Sequence, residues 1–267
     1  MDLVIRGGRR AYGDKEKRLR LPLTEDILHQ ILPQVPNDHN GINLRAAICV
    51  AFAGFLRSGE FTWEVWNATS HHRQLSRGHI QLKATSMSLK LPSSKTDPFA
   101  SGVDIHLAAS PGSVLCPVAA TQRLFALCPG SPQEPAFTRT AGPFNKAHLI
   151  ASIRKLLLQA GIPTHGFSGH SLRKGAAVTA ARKGIPKDEI KLLGRWKSDA
   201  VDVYINEVPE ATRRENLLQL NARLLNQVPK HASLGATNLP PPPNSSSLPT
   251  VRRLARRDLQ RSARGRA

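Results

Sequence analysis

The chain has 267 residues, 40% of them hydrophobic, which is enough to bury a real core in one large domain or two small ones. Lys and Arg number 38 against 19 Asp and Glu; the formal net charge of +19 points to a polyanionic partner, nucleic acid first and an anionic membrane surface second. The longest apolar run, Ala46–Leu56, falls short of the ~20 residues a spanning helix needs, and Met1-Asp2-Leu3-Val4-Ile5-Arg6 lacks the pattern of a secretory signal, so neither membrane insertion nor secretion is expected.

Residues 1–21 are basic, rich in Gly and Arg and without a sustained period, which suits a linker, the trailing edge of something before it. Pro22-Leu23-Thr24-Glu25-Asp26 predicts a helix start, with Thr24 as the cap and acids in the first turn, leading into Ile27, Leu28, Ile31 and Leu32. After a loop to Gly41, Ile42–Leu56 is apolar nearly all round; it predicts a central helix that delivers Arg57 and Glu60 at its end. His79–Leu82, Met87–Leu91 and Val103–Leu107 then alternate as strands of a small antiparallel sheet, with Lys95 in the turn Ser93-Ser94-Lys95-Thr96-Asp97.

Helices are expected again at Val118–Leu127, Asn145–Ala160, Ser171–Lys183, Lys187–Leu193, Asp199–Glu207 and Ala211–Gln227. The fold class is therefore α+β, predominantly helical, with one three-stranded antiparallel sheet, over residues 22–228. Residues 229–267 hold the run Pro240–Ser247, which cannot pack a core, and an Arg-rich tail suited to phosphate contact or nuclear localisation; disorder is expected there. The three cysteines, Cys49, Cys116 and Cys128, have neither the pairing of a disulfide framework nor histidines at zinc-ligand spacing.

The most informative stretch is Gly166-Phe167-Ser168-Gly169-His170-Ser171-Leu172-Arg173-Lys174. Three residues apart, His170 and Arg173 share a helix face at its first turn, where free N–H groups and the dipole favour an anion. Taken alone, each candidate has an ordinary explanation. His170 and Arg173 fit a satisfied histidine beside a surface arginine, Arg57 and Glu60 a structural pair, Lys95 a solvated hairpin tip, and Tyr204 and Trp196 packing residues.

In order, however, Arg57-Ser58-Gly59-Glu60, Lys95, His170-Ser171-Leu172-Arg173, Gly194-Arg195-Trp196 and Tyr204 together resemble the tyrosine recombinase (phage integrase) family, particularly the forms of eukaryotic DIRS and Crypton mobile elements. The resemblance runs from about Arg6 to about Gln227. It implies a tyrosine recombinase catalytic core in which Tyr204 attacks a DNA phosphodiester, leaving a 3′-phosphotyrosyl link and a free 5′-hydroxyl. It further implies that Arg57 and Arg173 hold the non-bridging oxygens, Lys95 protonates the leaving oxygen, His170 manages the tyrosine proton, Trp196 donates its N–H to the phosphate and Glu60 supports the site. Lys174, Arg195 and Lys197 are the expected DNA-binding side chains. No metal or other cofactor is implied; the partners are double-stranded DNA and further copies of the chain, as a tetramer on two sites. The location is the nucleus in a eukaryotic host and the cytoplasm otherwise.

Two departures stand out. The interval from Trp196 to Tyr204 is one residue shorter than in many members, unless Arg195 takes the usual His/Trp position. Only the trailing edge of the family's N-terminal clamp domain fits before Leu21, as in a truncated copy. The helix bearing Leu217, Leu218, Leu220, Leu224 and Leu225 suits packing in cis and docking on a neighbouring protomer equally well. The competing function is a non-catalytic DNA-binding module, an inactive relic, with residues 176–193 as a helix-turn-helix; topoisomerase action is kept as a side activity. The catalytic reading requires Arg57, His170, Arg173, Trp196 and Tyr204 to converge on one basic concave surface, with Lys95 on a hairpin above it.

Overall fold

In the computed structural model the described residues are 20–67, 74–92, 102–206, 208–212, 214, 215 and 218, all within a unit spanning Met1–Asn226. Residues 1–19 of the predicted linker 1–21, the turn carrying Lys95, the apolar stripe of the last helix apart from Leu218, and the Pro/Ser and Arg-rich tail lie outside them. Eight helices are named here among the described residues: α1 (Glu25–Ile31), α2 (His39–Ala53), α3 (Ser58–Phe61), α4 (Pro117–Leu127), α5 (Lys146–Gln159), α6 (Ser171–Arg182), α7 (Lys187–Leu193) and α8 (Asp202–Ile205). The strands are β1 (Ile80–Leu82), β2 (Ser86–Leu91) and β3 (Val103–Ala108). No helix among the described residues is long and apolar enough to cross a membrane.

The apolar run of α2 is central, but its helix starts earlier and stops sooner than the periodicity predicts. Asp38 moves the start, because its carboxylate accepts the Gly41 N–H at 2.7 Å and caps the helix. Ala46, Ala47, Ile48, Cys49, Val50 and Ala51 are fully buried, as a helix without a polar face requires. The helix packs against α4 and α6. Cys49, Cys116 and Cys128 are all free thiols in the interior.

The sheet runs β1-β2-β3 with both pairings antiparallel, Leu89 standing opposite Ile80 and Ile105. Met87, Leu89 and Leu91 face the core while Lys90 faces solvent, the period-2 pattern of a sheet covered on one side. This sheet belongs to the larger apolar cluster, together with α1, α2, α4 and α5. A smaller cluster joins Phe55, Ala177, Val178, Ile190, Val201 and Ile205, with Trp196 and Tyr204 packed on its edge. The segment bearing Tyr204 therefore rests on α6 and α7.

Thr24 occupies the cap position of α1, yet its side chain makes no capping bond; the Glu25 N–H donates to Thr179 Oγ1 on α6 instead, at 3.2 Å. The reason is the close approach of the two segments. Leu23 N donates to Ser171 O at 2.9 Å, and a Cβ on Gly175 would collide with the Leu23 backbone. Gly175→Ala is accordingly expected to cost about 1–3 kcal/mol through overpacking. Thermal unfolding checks this: an unchanged Tm would mean that residues 20–24 can move off α6.

Candidate active site

Two helix ends of one design form the frame of the site. At the end of α2, Phe55 N donates to Phe52 O at 3.2 Å and Leu56 N to Ala51 O at 2.9 Å; at the end of α7, Arg195 N donates to Leu192 O and Trp196 N to Lys191 O, both at 3.0 Å. Both are Schellman motifs, whose left-handed residue is ordinarily glycine because an L side chain there costs roughly 1–2 kcal/mol. The ends of α5 and α6 follow that habit with Gly161 (φ 71°) and Gly184 (φ 81°), whereas Phe55 (φ 51°) and Arg195 (φ 58°) do not. In the second case the glycine is needed one residue earlier, because the Trp196 ring fills the space a Gly194 Cβ would take. Strain of this kind persists only where surrounding contacts impose it.

Arg173 supplies those contacts. It is 3% exposed; its Nη1 donates to Phe55 O at 2.5 Å, its Nη2 donates to Gly194 O, and its guanidinium lies 4.1 Å from the Trp196 ring centre. One side chain from α6 thus ties both helix ends together. Burial, then the nearby Arg57, lower its pKa to about 9; Arg195 acts in the same direction, while Glu60 and Tyr204 oppose.

Arg57 does not sit on a continuation of α2. The chain turns at residues 54–56 and Arg57 precedes the separate short helix α3, from whose third residue Glu60 reaches back. Glu60 Oε2 accepts the Arg57 N–H at 2.8 Å and Oε1 accepts Arg57 Nη1 at 2.8 Å. Arg195 Nη2 donates to the same carboxylate at 3.1 Å. The carboxylate is buried, with a side chain 4% exposed, so Arg57 and Arg195 share one interior negative charge, whose field also acts on Arg173.

The side chains of Arg195 and Lys174, expected at a DNA surface, are turned inward, as is that of Arg173. The Arg195 side chain is 16% exposed and also donates to the Gly54 and Phe55 carbonyls, which makes it an internal brace. Burial lowers its pKa, with Glu60 opposing and Arg57 reinforcing the shift. Lys174 is 6% exposed, donates to Arg20 O at 2.5 Å and stands 5.9 Å from the Tyr204 ring centre. Lys174 is held toward residue 20 and Arg195 toward residues 54–60 by these bonds. Lys197 is exposed, and Lys95 lies outside the described residues.

Tyr204 is half-buried on α8, with its ring centre 6.0 Å from that of Trp196, which in turn meets Phe55 edge-on at 6.3 Å. Its segment is lashed to α7 by ion pairs, Lys187 to Asp202 at 2.8 Å and Lys191 to Asp199 at 3.0 Å. Arg57, Glu60, Arg173, Arg195, Trp196 and Tyr204 therefore form one continuous set of contacts. No group of three or more His, Cys, Asp or Glu among the described residues is placed to hold a metal ion.

His170 occupies the N-cap position of α6 without a side-chain capping bond and is exposed. Desolvation lowers its pKa from 6.5, followed by the charges of Arg20, Lys146, Arg173 and Arg57. Neither Arg20 nor Lys146 carries a signal in the sequence; one ends a segment read as a linker and the other merely starts a helix. An NMR titration of the folded chain is expected to give a His170 midpoint below 6.5. The unfolded chain then binds the proton first, so the His170 contribution to stability is complete above pH 6.5 and declines as pH falls through the folded midpoint. A midpoint at or above the ordinary value would contradict the cationic surroundings.

No protein-family model and no curated protein matches the sequence. Solved structures do. The chain is similar to XerA recombinase, with a TM-score of 0.54 and 18% identity over 78% of this chain and 66% of that one. It is similar to XerH site-specific recombinase bound to palindromic difH substrate in a post-cleavage complex, with a TM-score of 0.52 and 12% identity over 80% of this chain and 57% of that one. It is also similar to the Tn1549 transposon integrase in complex with circular intermediate DNA, at 0.51 and 12% over 76% of this chain and 66% of that one. The chain spans less than two thirds of each of these structures. Its fold is that of the tyrosine recombinase catalytic domain.

Proposed function

We propose that the protein cuts and rejoins DNA in recombination, with Tyr204 as the nucleophile. One observation carries this reading: the guanidiniums of Arg57 and Arg195 pair with the buried carboxylate of Glu60, and a third, that of Arg173, shares the Phe55 carbonyl with Arg195 and packs on Trp196 beside Tyr204. Positive charge left in excess in a desolvated place is costly unless an anion enters, and a phosphodiester is an anion with the right reach for paired guanidiniums.

In the reaction, the Tyr204 oxygen attacks phosphorus while His170, held neutral by its surroundings, accepts the phenolic proton. The bond from phosphorus to the 5′ oxygen breaks, and Lys95 gives that oxygen a proton. The product is a 3′-phosphotyrosyl bond, and attack by a second 5′-hydroxyl reverses every step. Arg57 and Arg173 stabilise the charge that develops on the non-bridging oxygens. Trp196 holds Arg173 and Tyr204 with its ring, and its N–H is the third phosphate donor. Kinship with DIRS and Crypton elements, assembly as a tetramer on two DNA sites and a nuclear location in a eukaryotic host complete the proposal.

A helix-turn-helix at α6 and α7 fits less well, because α6 is buried along most of its length and the exposed first turn of α7 carries Asp188 and Glu189, which repel phosphate. The test is covalent trapping. The full chain is incubated with nicked suicide duplexes of randomised sequence, and the denatured products are examined for a protein–DNA adduct that releases phosphotyrosine on acid hydrolysis. Salt-sensitive binding without any adduct would sink the cleavage reading and leave a DNA-binding relic.

A further inference from the structure

With Lys174 and Arg195 turned inward, the outward positive charge of the site has to come from other residues, and Gly169 marks one of them. A Cβ at Gly169 would lie 2.6 Å from Lys146 Cε and 2.7 Å from Ser58 Oγ, so the lysine stem crosses directly over this backbone, one residue before His170. Only glycine leaves it that path. Lys146 opens α5, whose start is held by Asn145: its Oδ1 accepts the His148 N–H at 2.8 Å and its Nδ2 donates to Glu64 Oε2 at 2.9 Å. The lysine is exposed on a fixed base.

Arg20 reaches the same place from a different part of the chain. It is exposed, its carbonyl accepts Lys174 Nζ at 2.5 Å, and the next residue, Leu21, donates its N–H to Gly166 O at 3.0 Å. These bonds set its backbone beside the loop that leads into His170. Arg20 and Lys146 act on the imidazole more strongly than Arg173 and Arg57 do.

We infer that Arg20 and Lys146 form a two-cation clamp beside His170 for a DNA backbone phosphate other than the one Tyr204 attacks. This rests on the DNA reading above and adds to it a contact that sets affinity and register. A guanidinium can bind phosphate through two parallel N–H bonds, and a flexible ammonium adds a point charge that tolerates sequence-dependent backbone positions. Contacts of this type position a protein on the duplex without reading bases.

The test measures binding of the full chain to labelled duplex DNA by fluorescence anisotropy across a range of salt concentrations. Arg20→Gln and Lys146→Gln are each expected to lower the slope of log affinity against log salt by about 1, equally on unrelated sequences, and the double variant by about 2. Lys146→Arg should keep the slope. In Lys146→Gln the His170 NMR midpoint should also rise, which reports the placement without DNA. An unchanged slope in the double variant, or an unchanged His170 midpoint, overturns the clamp. The two readings fail separately: a reduced slope without any covalent adduct supports the clamp and removes the cleavage, whereas an adduct with an unchanged slope does the reverse.

Discussion

Tyr204→Phe is expected to remove the covalent adduct completely while changing the stability of the fold by no more than about 1 kcal/mol, the scale of one hydrogen bond. Phenylalanine keeps the ring that stands 6.0 Å from Trp196 and 5.9 Å from the Lys174 ammonium. The ion pairs of Lys187 and Lys191 with Asp199 and Asp202 still lash the segment to α7. The only atom lost is the oxygen that forms the bond to phosphorus. Trapping on suicide duplexes, run beside thermal unfolding of the same preparations, separates chemistry from folding. Tyr12, the other of the two tyrosines, is the control, and Tyr12→Phe should retain the adduct. An adduct surviving in Tyr204→Phe would place the nucleophile elsewhere.

Glu60→Gln is expected to have the largest effect on stability, about 3–5 kcal/mol, as when one partner of a buried ion pair is removed. The substitution keeps the shape of the side chain and deletes the charge shared by Arg57 and Arg195. Three guanidiniums then repel one another without their interior counter-ion, and Arg173, already lowered to about 9, falls further. Because the penalty is excess positive charge, an anion should offset part of it. Inorganic phosphate or sulfate is expected to raise the Tm of Glu60→Gln more than that of the parent protein, by the linkage of binding to folding. Equal effects on the two proteins would mean that the guanidiniums do not form an anion site.

Much of this architecture is legible in the residues themselves. The all-round apolarity of 42–56 specifies a buried central helix, and the alternation at 87–91 specifies a sheet with one dry face, because each pattern has a single arrangement that buries it. The spacing of His170 and Arg173 places both at the start of α6, but the packing of that helix leaves His170 exposed and Arg173 buried. Where α2 stops is less legible. Nothing in the run Phe52-Ala53-Gly54-Phe55-Leu56 announces that Phe55 will take φ 51°, since that conformation depends on an arginine 118 residues away bonding its carbonyl.

The sequence by itself thus determined the element types, the small sheet and the positive charge, since all of these follow from local pattern and composition. Only the tertiary structure decided which cations face inward. Lys174 and Arg195 look identical to surface residues on the page, but close packing of α6 against residues 20–24 and of the α7 turn against residues 54–55 makes them internal braces. A side chain's access to solvent depends on distant segments meeting, and a linear pattern carries no record of that meeting.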